Sequence, residues 1–216
     1  MLTNKNAVIY GAGGAVGGAI ARAFAREGAR VFLTGRNLSK VDAVAKEITP
    51  AGGKDESAQV NALDEQAVNQ HLESVIDKAA CVDISFNAVG IPNATLQGVP
   101  LVELAAEQFS LPIATYTRSY FLTARLAARR MVEKRSGVIM TVTSVPSRTG
   151  IPLTGGVGPA MSAVEASLGF YPPSSHLTAF ALWVCDQTGC PSRARSRKSS
   201  GFTLGHGDFR GNSFTK

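Results

Sequence analysis

The chain has 216 residues and a 44% hydrophobic fraction, which is enough for one domain with a core and excludes a wholly disordered protein. Its three cysteines suit neither a disulfide framework nor a paired zinc site, and no apolar run is long enough to predict a membrane span. The net charge is +6, but six of the 22 basic and only two of the 16 acidic residues lie in 167–216, so the body does not resemble a nucleic-acid binder. Because the N-terminus lacks a signal-peptide pattern, we expect a cytoplasmic protein. The cysteine spacing, the charge distribution and the lack of a long apolar run predict no metal, nucleic-acid or membrane partner.

Apolar strand-like runs alternate with helical patterns over residues 1–166. The predicted strands cover residues 6–10, 30–34, 57–60, 82–86 and 137–142. The predicted helices cover residues 14–27, 39–48, 64–79, 108–133 (interrupted at Pro112) and the start of a fifth at 158–166. Because parallel strands need crossover connections, this alternation predicts an α/β fold with a doubly wound parallel sheet.

A glycine-rich turn joins the first predicted strand to the first predicted helix. Its glycines are Gly11, Gly13, Gly14 and Gly17. Glycine lets the backbone pass close to a pyrophosphate, and the free N–H groups that begin the following helix stabilise phosphate charge. The turn therefore predicts dinucleotide binding, with a glycine turn that serves packing alone as the alternative.

The end of the second predicted strand indicates which dinucleotide would bind. An acidic residue there would accept hydrogen bonds from the adenosine ribose 2′-hydroxyl. The sequence Thr-Gly-Arg-Asn stands there instead, and Arg36 can pair with a 2′-phosphate through two N–H donors. This favours NADP over NAD, unless Arg36 is an ordinary solvated loop charge.

These features resemble the short-chain dehydrogenase/reductase family over residues 1–166. Gly11 and Gly17 match the glycine turn of the family, although Ala15 replaces its middle glycine and Tyr10 its threonine. The resemblance implies a Rossmann-type NAD(P)-binding domain over this range.

Two further family motifs follow in the expected order. Asn61 falls where the family has an acidic contact to adenine. The family motif Asn-Asn-Ala-Gly is here Asn-Ala-Val-Gly, from Asn87 to Gly90. The resemblance implies that Asn61, Asn87 and Gly90 line the adenosine side of the cofactor.

The catalytic positions depart from the family. Its chemistry on carbonyl and hydroxyl groups uses an asparagine, a serine, a tyrosine and a lysine. By the resemblance, Ser144 takes the serine position and would orient the substrate, while Val157, Met161 and Tyr116 replace the tyrosine, the lysine and the asparagine. Valine and methionine cannot transfer protons. A positioned general acid or base typically raises the rate by about 10²–10⁴-fold, and this contribution would be lost. Tyr116 is a speculative substitute acid, with a packing aromatic as the alternative.

Residues 167–216 read as an irregular basic tail without the later pattern of the family. In the reading frame that combines the third base of each codon with the first two bases of the next, the gene could encode a sequence similar to that of the family. This sequence would include Pro-His-Gly-Ile-Arg-Val. We therefore predict a frameshift near residue 167, which resequencing the gene would test. The sheet would be C-terminally incomplete, with its fifth strand uncovered unless segment 177–184 or a partner protects it. Pairing of subunits through the two long helices, as in the family, would be weakened.

Three functions remain open at this point. The first is an NADP(H)-dependent oxidoreductase that acts on a carbonyl or hydroxyl substrate with an atypical active site. The second is a non-catalytic NADP-binding protein, and the third is an inactive truncated product. Hydride transfer to a panel of carbonyl compounds separates the first from the second, and cofactor binding separates the second from the third.

Overall fold

The computed structural model describes residues 1–92, 97–169 and 177–184. Within this part of the chain the strands are β1 (Asn6–Tyr10), β2 (Arg30–Gly35), β3 (Lys54–Gln59), β4 (Ile84–Asn87), β5 (Gly137–Ser144) and β6 (Leu177–Val184). The helices are α1 (Ala15–Arg26), α2 (Leu38–Ile48), α3 (Glu65–Ala79), α4 (Ala106–Glu133) and α5 (Val157–Leu168), with 3₁₀ turns at Thr49–Ala51 and Val145–Ser147. None of these helices is long and apolar enough to cross a membrane.

The six strands form one parallel sheet in the order β3-β2-β1-β4-β5-β6. The chain runs from β1 outward to β3, returns to the other side of β1, and continues from β4 to β6. The strand order therefore reverses between β1 and β4, where a crevice opens beyond the carboxyl ends of the strands. This topology confirms the predicted doubly wound parallel α/β fold and places the glycine turn at the reversal.

Alternate residues of β1 pack into cores on opposite faces of the sheet. Val8 and Tyr10 belong to one buried cluster, whereas Ala7 and Ile9 belong to the other. All four side chains are fully buried. Burial on both faces is the rule for parallel strands that helices cover on each side, and it explains why β1 reads as a continuous apolar run.

Helix α4 continues through Pro112, where the sequence predicts an interruption. Proline lacks an N–H and normally kinks or breaks a helix. Here Pro112 is buried beside Gly156, which precedes α5, since a Cβ added to Gly156 would lie 3.0 Å from the Cγ of Pro112. Tertiary packing at this crossing therefore outweighs the local preference.

Residues 177–184, which the sequence analysis places in an irregular tail, form strand β6. This strand pairs with the whole of β5, from Gly137 opposite Leu177 to Ser144 opposite Val184. Its backbone covers the edge of β5 that a disrupted tail would leave open. The domain boundary at residue 166 and the frameshift stay predictions, and residues 170–176 and 185–216 of the tail lie outside the described part.

Leu177 connects β6 to the core. Its side chain is 6% exposed and joins the same buried cluster as Met131 and Ile139. We expect Leu177→Ala to lower the free energy of unfolding by about 2–5 kcal/mol, because it leaves a cavity. The exposed neighbour Thr178 is a matched control, and Thr178→Ala should change stability by less than about 0.5 kcal/mol. Urea denaturation would compare them, and equal stabilities would contradict the packing of β6 on the core.

His71 on α3 makes the stability of the fold sensitive to acid. Its ring packs edge-on against Tyr10, with the centroids 6.5 Å apart. Burial, reinforced by the charge of Lys78 and partly offset by Glu56, lowers the pKa of His71 from 6.5 to about 4.

Between these two pH values the unfolded chain binds a proton at His71 more readily than the folded chain does. This contribution to stability is therefore complete above pH 6.5, and acidification to pH 4 should remove up to about 3 kcal/mol of it. We expect His71→Leu to flatten the melting temperature across this window. A variant with the same pH profile as the parent chain would contradict the assignment.

Candidate functional site

The carboxyl ends of four strands are joined into one rim at the point where the strand order reverses. Three backbone hydrogen bonds join them, from the N–H of Ala12 to the carbonyl of Thr34 (2.9 Å), from Ala88 to Tyr10 (2.8 Å) and from Val60 to Gly35 (3.0 Å). The rim brings together the glycine turn after β1, the segment after β2 and the segment after β4.

Three glycines of the turn are required by its close packing. Gly11 has a φ of +79°, and a Cβ there would lie 2.5 Å from the carbonyl oxygen of Ala88. A Cβ on Gly17 would overlap the carbonyl oxygen of Gly11, and a Cβ on Gly13 would lie 2.9 Å from the Cβ of Lys40. These glycines therefore let the turn lie directly against the segment after β4 and the first turn of α2.

Gly14 and the start of α1 are open instead. Gly14 is exposed, and a Cβ there would have only the carbonyl oxygen of Gly11 nearby, at 3.3 Å. No side chain caps α1, and its first turn contains no acidic residue. In the described part of the chain, the amides of Ala15, Val16 and Gly17 have no hydrogen-bond acceptor. Free amides and the helix dipole favour an anion, so this end of α1 fits a phosphate group.

Two basic side chains flank the turn. Arg36 is exposed after β2, and the Nε2 of Gln59 donates to its carbonyl oxygen at 3.0 Å, which fixes the backbone there. Lys40 is exposed in the first turn of α2, beside Gly13. Neither cation has an acidic partner within 4.0 Å among the described residues. Both are therefore available to a second anionic group.

The sequence analysis identified Arg36 but missed Lys40. The helix dipole disfavours a cation in the first turn of a helix by about 0.3–1 kcal/mol. A lysine at the third position of α2 is thus a local exception, and such exceptions are expected at functional sites.

Asn61 lies in the loop after β3. It is exposed, and its Oδ1 accepts a hydrogen bond from the N–H of Leu63 at 3.2 Å. Its Nδ2 has no partner among the described residues. The local turn thus fixes the side chain while an amide donor stays available at the same edge of the sheet.

The motif at the end of β4 combines a buried asparagine with an exposed glycine. Asn87 is 5% exposed; its Nδ2 donates to the Oγ1 of Thr123 at 3.0 Å, and its Oδ1 accepts from the N–H of Val89 at 2.9 Å. Its side chain is therefore committed to joining β4 to α4. Gly90 is exposed, and a Cβ there would have no atom within 4 Å. Of the two residues predicted to line the cofactor, Asn87 is therefore buried and joins β4 to α4, whereas Gly90 lies at the open surface.

Tyr116 and Ser144 lie on the β4–β5 side of the edge. The Oη of Tyr116 accepts from the N–H of Ile91 at 3.5 Å, and burial raises the pKa of this half-buried tyrosine above its ordinary value. Ser144 is the half-buried last residue of β5. No hydrogen bond between Tyr116 and Ser144 is found in the part of the chain that the structure describes. A raised pKa keeps this tyrosine protonated at neutral pH and makes it a weaker proton donor than an ordinary tyrosine.

The start of α5 is apolar and closed. Val157 is 6% exposed and Met161 5%, and neither can carry a proton. Glu165 is the only charged residue of this helix, and it accepts from the Oγ of Ser147 at 2.6 Å and pairs with the Nε of Arg148 at 3.2 Å. Among the described residues, the buried face of α5 thus presents no side chain that can transfer a proton.

The sequence matches one family over most of this fold. The model of the short chain dehydrogenase family matches residues 5–158, more than half of the chain. The uncharacterized oxidoreductase YxbG of Bacillus subtilis is 32% identical over 140 residues, which are 65% of this chain and 50% of the relative. A 3-oxoacyl-(acyl-carrier-protein) reductase of Synechocystis is 30% identical over 152 residues, 70% of this chain and 60% of the relative. The matched region therefore spans about half to three-fifths of these curated relatives.

Solved structures share the fold at lower identity. A metagenomic short-chain oxidoreductase in complex with NADP superposes with a TM-score of 0.75 and 24% identity, over 84% of this chain and 82% of that one. An NAD⁺-bound xylitol dehydrogenase has a TM-score of 0.76 and 21% identity, over 84% and 71%. The two neighbours hold different dinucleotides, so the fold alone does not select between them.

Proposed function

Because the chain belongs to the short-chain dehydrogenase family, we propose that it is an NADP(H)-binding protein with an atypical active site. The observation that carries this proposal is the group of uncapped α1 amides beside two cations, Arg36 and Lys40, that have no acidic partner among the described residues. A dinucleotide with a 2′-phosphate has two anionic groups, the pyrophosphate and the 2′-phosphate, which these features complement.

Each retained feature has a distinct part in holding this ligand. The amides of Ala15, Val16 and Gly17 would hold the pyrophosphate, because they are the free donors at the positive end of α1. Arg36 and Lys40 would pair with the 2′-phosphate, and the free Nδ2 of Asn61 would donate to adenine. When bound, the nicotinamide supplies or accepts a hydride.

Because of the position of Tyr116, we propose slow carbonyl reduction as a second candidate function. The Oη of Tyr116 accepts from the N–H of Ile91 on the β4–β5 side, so its own proton is not used in that hydrogen bond. Burial raises the pKa of Tyr116, which disfavours release of this proton and would slow the reaction further. Tyr116 would donate this proton to a carbonyl oxygen, and Ser144 would orient that oxygen. Without a lysine beside it, the rate would be far below that of a complete site.

The first test is a titration of the 216-residue chain with NADPH and with NADH, followed by thermal unfolding. A ligand at 100 times its Kd adds about 2.7 kcal/mol to the stability of a folded receptor. We expect a clear rise in the melting temperature with NADPH and a smaller one with NADH. A chain that responds to neither nucleotide would be an inactive remnant of the family.

The second test addresses Tyr116. With a panel of carbonyl compounds, we expect Tyr116→Phe to lower any NADPH oxidation by about 10²-fold or more, since it removes the proton donor. The Kd for NADPH should stay within about twofold, because the variant keeps the ring that packs against the core. An unchanged rate would make Tyr116 a packing aromatic, and a chain without turnover would leave nucleotide binding as its function.

A further inference from the structure

We propose that the outward face of helix α4 is a docking surface for an acidic amphipathic helix of another protein. The inference does not rest on the proposed function, because neither the glycine turn nor Arg36 belongs to this surface. The surface, which we call the α4 stripe, consists of Leu111, Ala114, Arg118, Phe121, Arg125, Arg129 and Val132.

The residues of the α4 stripe lie on one side of the helix. They are separated by intervals of three or four residues, and such intervals keep side chains on the same side at about 3.6 residues per turn. All of them are exposed except Arg125, which is half-buried. The opposite side of α4 belongs to the core, through residues such as Tyr120, Ala124 and Ala127. At about 1.5 Å per residue the stripe is about 32 Å long, so a partner helix of several turns can lie along it.

Large apolar side chains are exposed along the whole stripe. Leu111, Phe121 and Val132 are 49%, 54% and 48% exposed, near its start, its middle and its end. Apolar residues scattered singly over a surface are ordinary, whereas apolar residues aligned on one face with polar residues around them mark an interaction site. The stripe therefore offers a partner a line of apolar contacts.

Every charged residue of the stripe is positive. These residues are Arg118, Arg125 and Arg129, and residues 108–132 contain no aspartate or glutamate. Arg118 and Arg125 are seven residues apart, with Phe121 between them. An interval of seven residues places both arginines on the same side of a helix. The centre of the stripe is thus an exposed aromatic ring between two cations.

Contacts with α3 and the loop before it hold these two cations in place. The Nε of Arg118 donates to the carbonyl oxygen of Leu63 at 2.9 Å. Arg125 pairs with Glu65, and its guanidinium carbon lies 4.7 Å from the centre of the Phe121 ring. A guanidinium has five N–H donors, so each arginine keeps donors for a partner. Side chains that are already ordered lose less entropy on binding, which favours association.

Charge complementarity selects the kind of partner. A twofold pair of this chain through the stripe would bring two surfaces of the same positive charge into contact, which is unfavourable. A helix with two acidic residues seven positions apart and an aliphatic residue between them would instead pair with Arg118 and Arg125 and pack on Phe121. The stripe therefore fits an acidic amphipathic helix.

Fluorescence anisotropy with a labelled synthetic helix tests the inference on the full chain. The probe is a peptide with glutamate and leucine alternating at intervals of three and four residues along one face, and alanine and glutamine elsewhere. The control peptide has lysine in place of each glutamate. We expect the acidic peptide to bind with a Kd in the micromolar range and the lysine peptide to bind at least about tenfold more weakly.

Variants of the stripe locate the binding. Arg118→Glu and Phe121→Ala should each weaken the acidic peptide by about tenfold or more, because one reverses a charge and the other removes the central apolar contact. Arg26→Glu is the matched control, since Arg26 is exposed on α1, which packs on the opposite face of the sheet. It should change the Kd by less than about twofold. All three positions are exposed, so the melting temperatures should stay near that of the parent chain.

Several results would overturn the inference. These are no binding of the acidic peptide, equal binding of the two peptides, and an equal loss of affinity in Arg26→Glu. A dimer that Phe121→Ala dissociates, measured by light scattering, would assign the stripe to a second copy of this chain. Binding of phosphatidylglycerol vesicles through Arg118 and Phe121 without binding of the peptide would assign it to a membrane surface. NADPH binding is measured separately, so each of these results leaves the proposed function standing.

Discussion

The double variant Arg36→Gln/Lys40→Gln is expected to lose its preference for NADPH over NADH. Hydrogen bonds to charged groups contribute about 1.5–3 kcal/mol each when partly desolvated, and exposure reduces this value. Because both side chains are exposed, we expect the double substitution to lower the affinity for NADPH by about tenfold to hundredfold. The affinity for NADH should change by less than about threefold, because NADH has no 2′-phosphate.

Arg129→Gln is the matched control for this loss of charge. Arg129 is exposed on α4 and remote in sequence from the rim, so its variant removes a positive charge without touching the proposed site. Equal losses in the control and in the double variant would indicate general attraction of an anion to a basic chain. Increasing salt should weaken NADPH binding to the parent more than to the double variant.

The single variant Gly17→Ala is expected to disturb both the fold and nucleotide binding. A Cβ at Gly17 would overlap the carbonyl oxygen of Gly11, and backbone on both sides leaves no flexible side chain to move away. Overpacking of this kind costs about 1–3 kcal/mol or more, so the melting temperature should fall and nucleotide binding should be lost with it. Gly14→Ala, at an exposed position with more room, should retain most of the stability of the parent chain.

Gly90→Val separates binding from stability at the same rim. No atom lies within 4 Å of a Cβ at Gly90, so the fold should accept the new side chain with a change in stability below about 1 kcal/mol. If nucleotide lies against the segment after β4, the added side chain should weaken NADPH binding about tenfold. Normal stability with unchanged affinity would remove Gly90 from the site. Gly17→Ala and Gly90→Val thus distinguish a glycine that packing requires from one that faces open space.

The order of strands and helices follows from local sequence alone. Short apolar runs and longer helical patterns alternate, and this alternation permits little besides a parallel sheet with crossovers. The bounds of β1 were predicted to the residue, because a run of fully buried residues ends abruptly at a glycine. The polar strand β3 was placed three residues late, since Lys54, Asp55 and Glu56 do not read as a strand. Its pairing with β2 supplies the backbone hydrogen bonds that its side chains do not signal.

The glycine turn and Arg36 were also evident in the sequence, because a motif between a strand and a helix has one place in such a sheet. The structural role of each glycine was not evident in the sequence. Only the three-dimensional distances show that neighbouring atoms leave no room for a Cβ at Gly11, Gly13 and Gly17, whereas Gly14 has a single close neighbour and Gly90 faces open space.

Tertiary structure alone decided the remaining features. Whether Asn87 faces a ligand or the core depends on Thr123, 36 residues away in sequence. Lys40 reaches the turn only because Gly13 lets α2 approach it. Residues 177–184 are apolar enough to pack, but only the structure shows that they form β6, because β5 offers a parallel edge along its whole length. Sequence thus determined what is local or carried by a motif, and contacts between distant segments determined which groups remain free to bind.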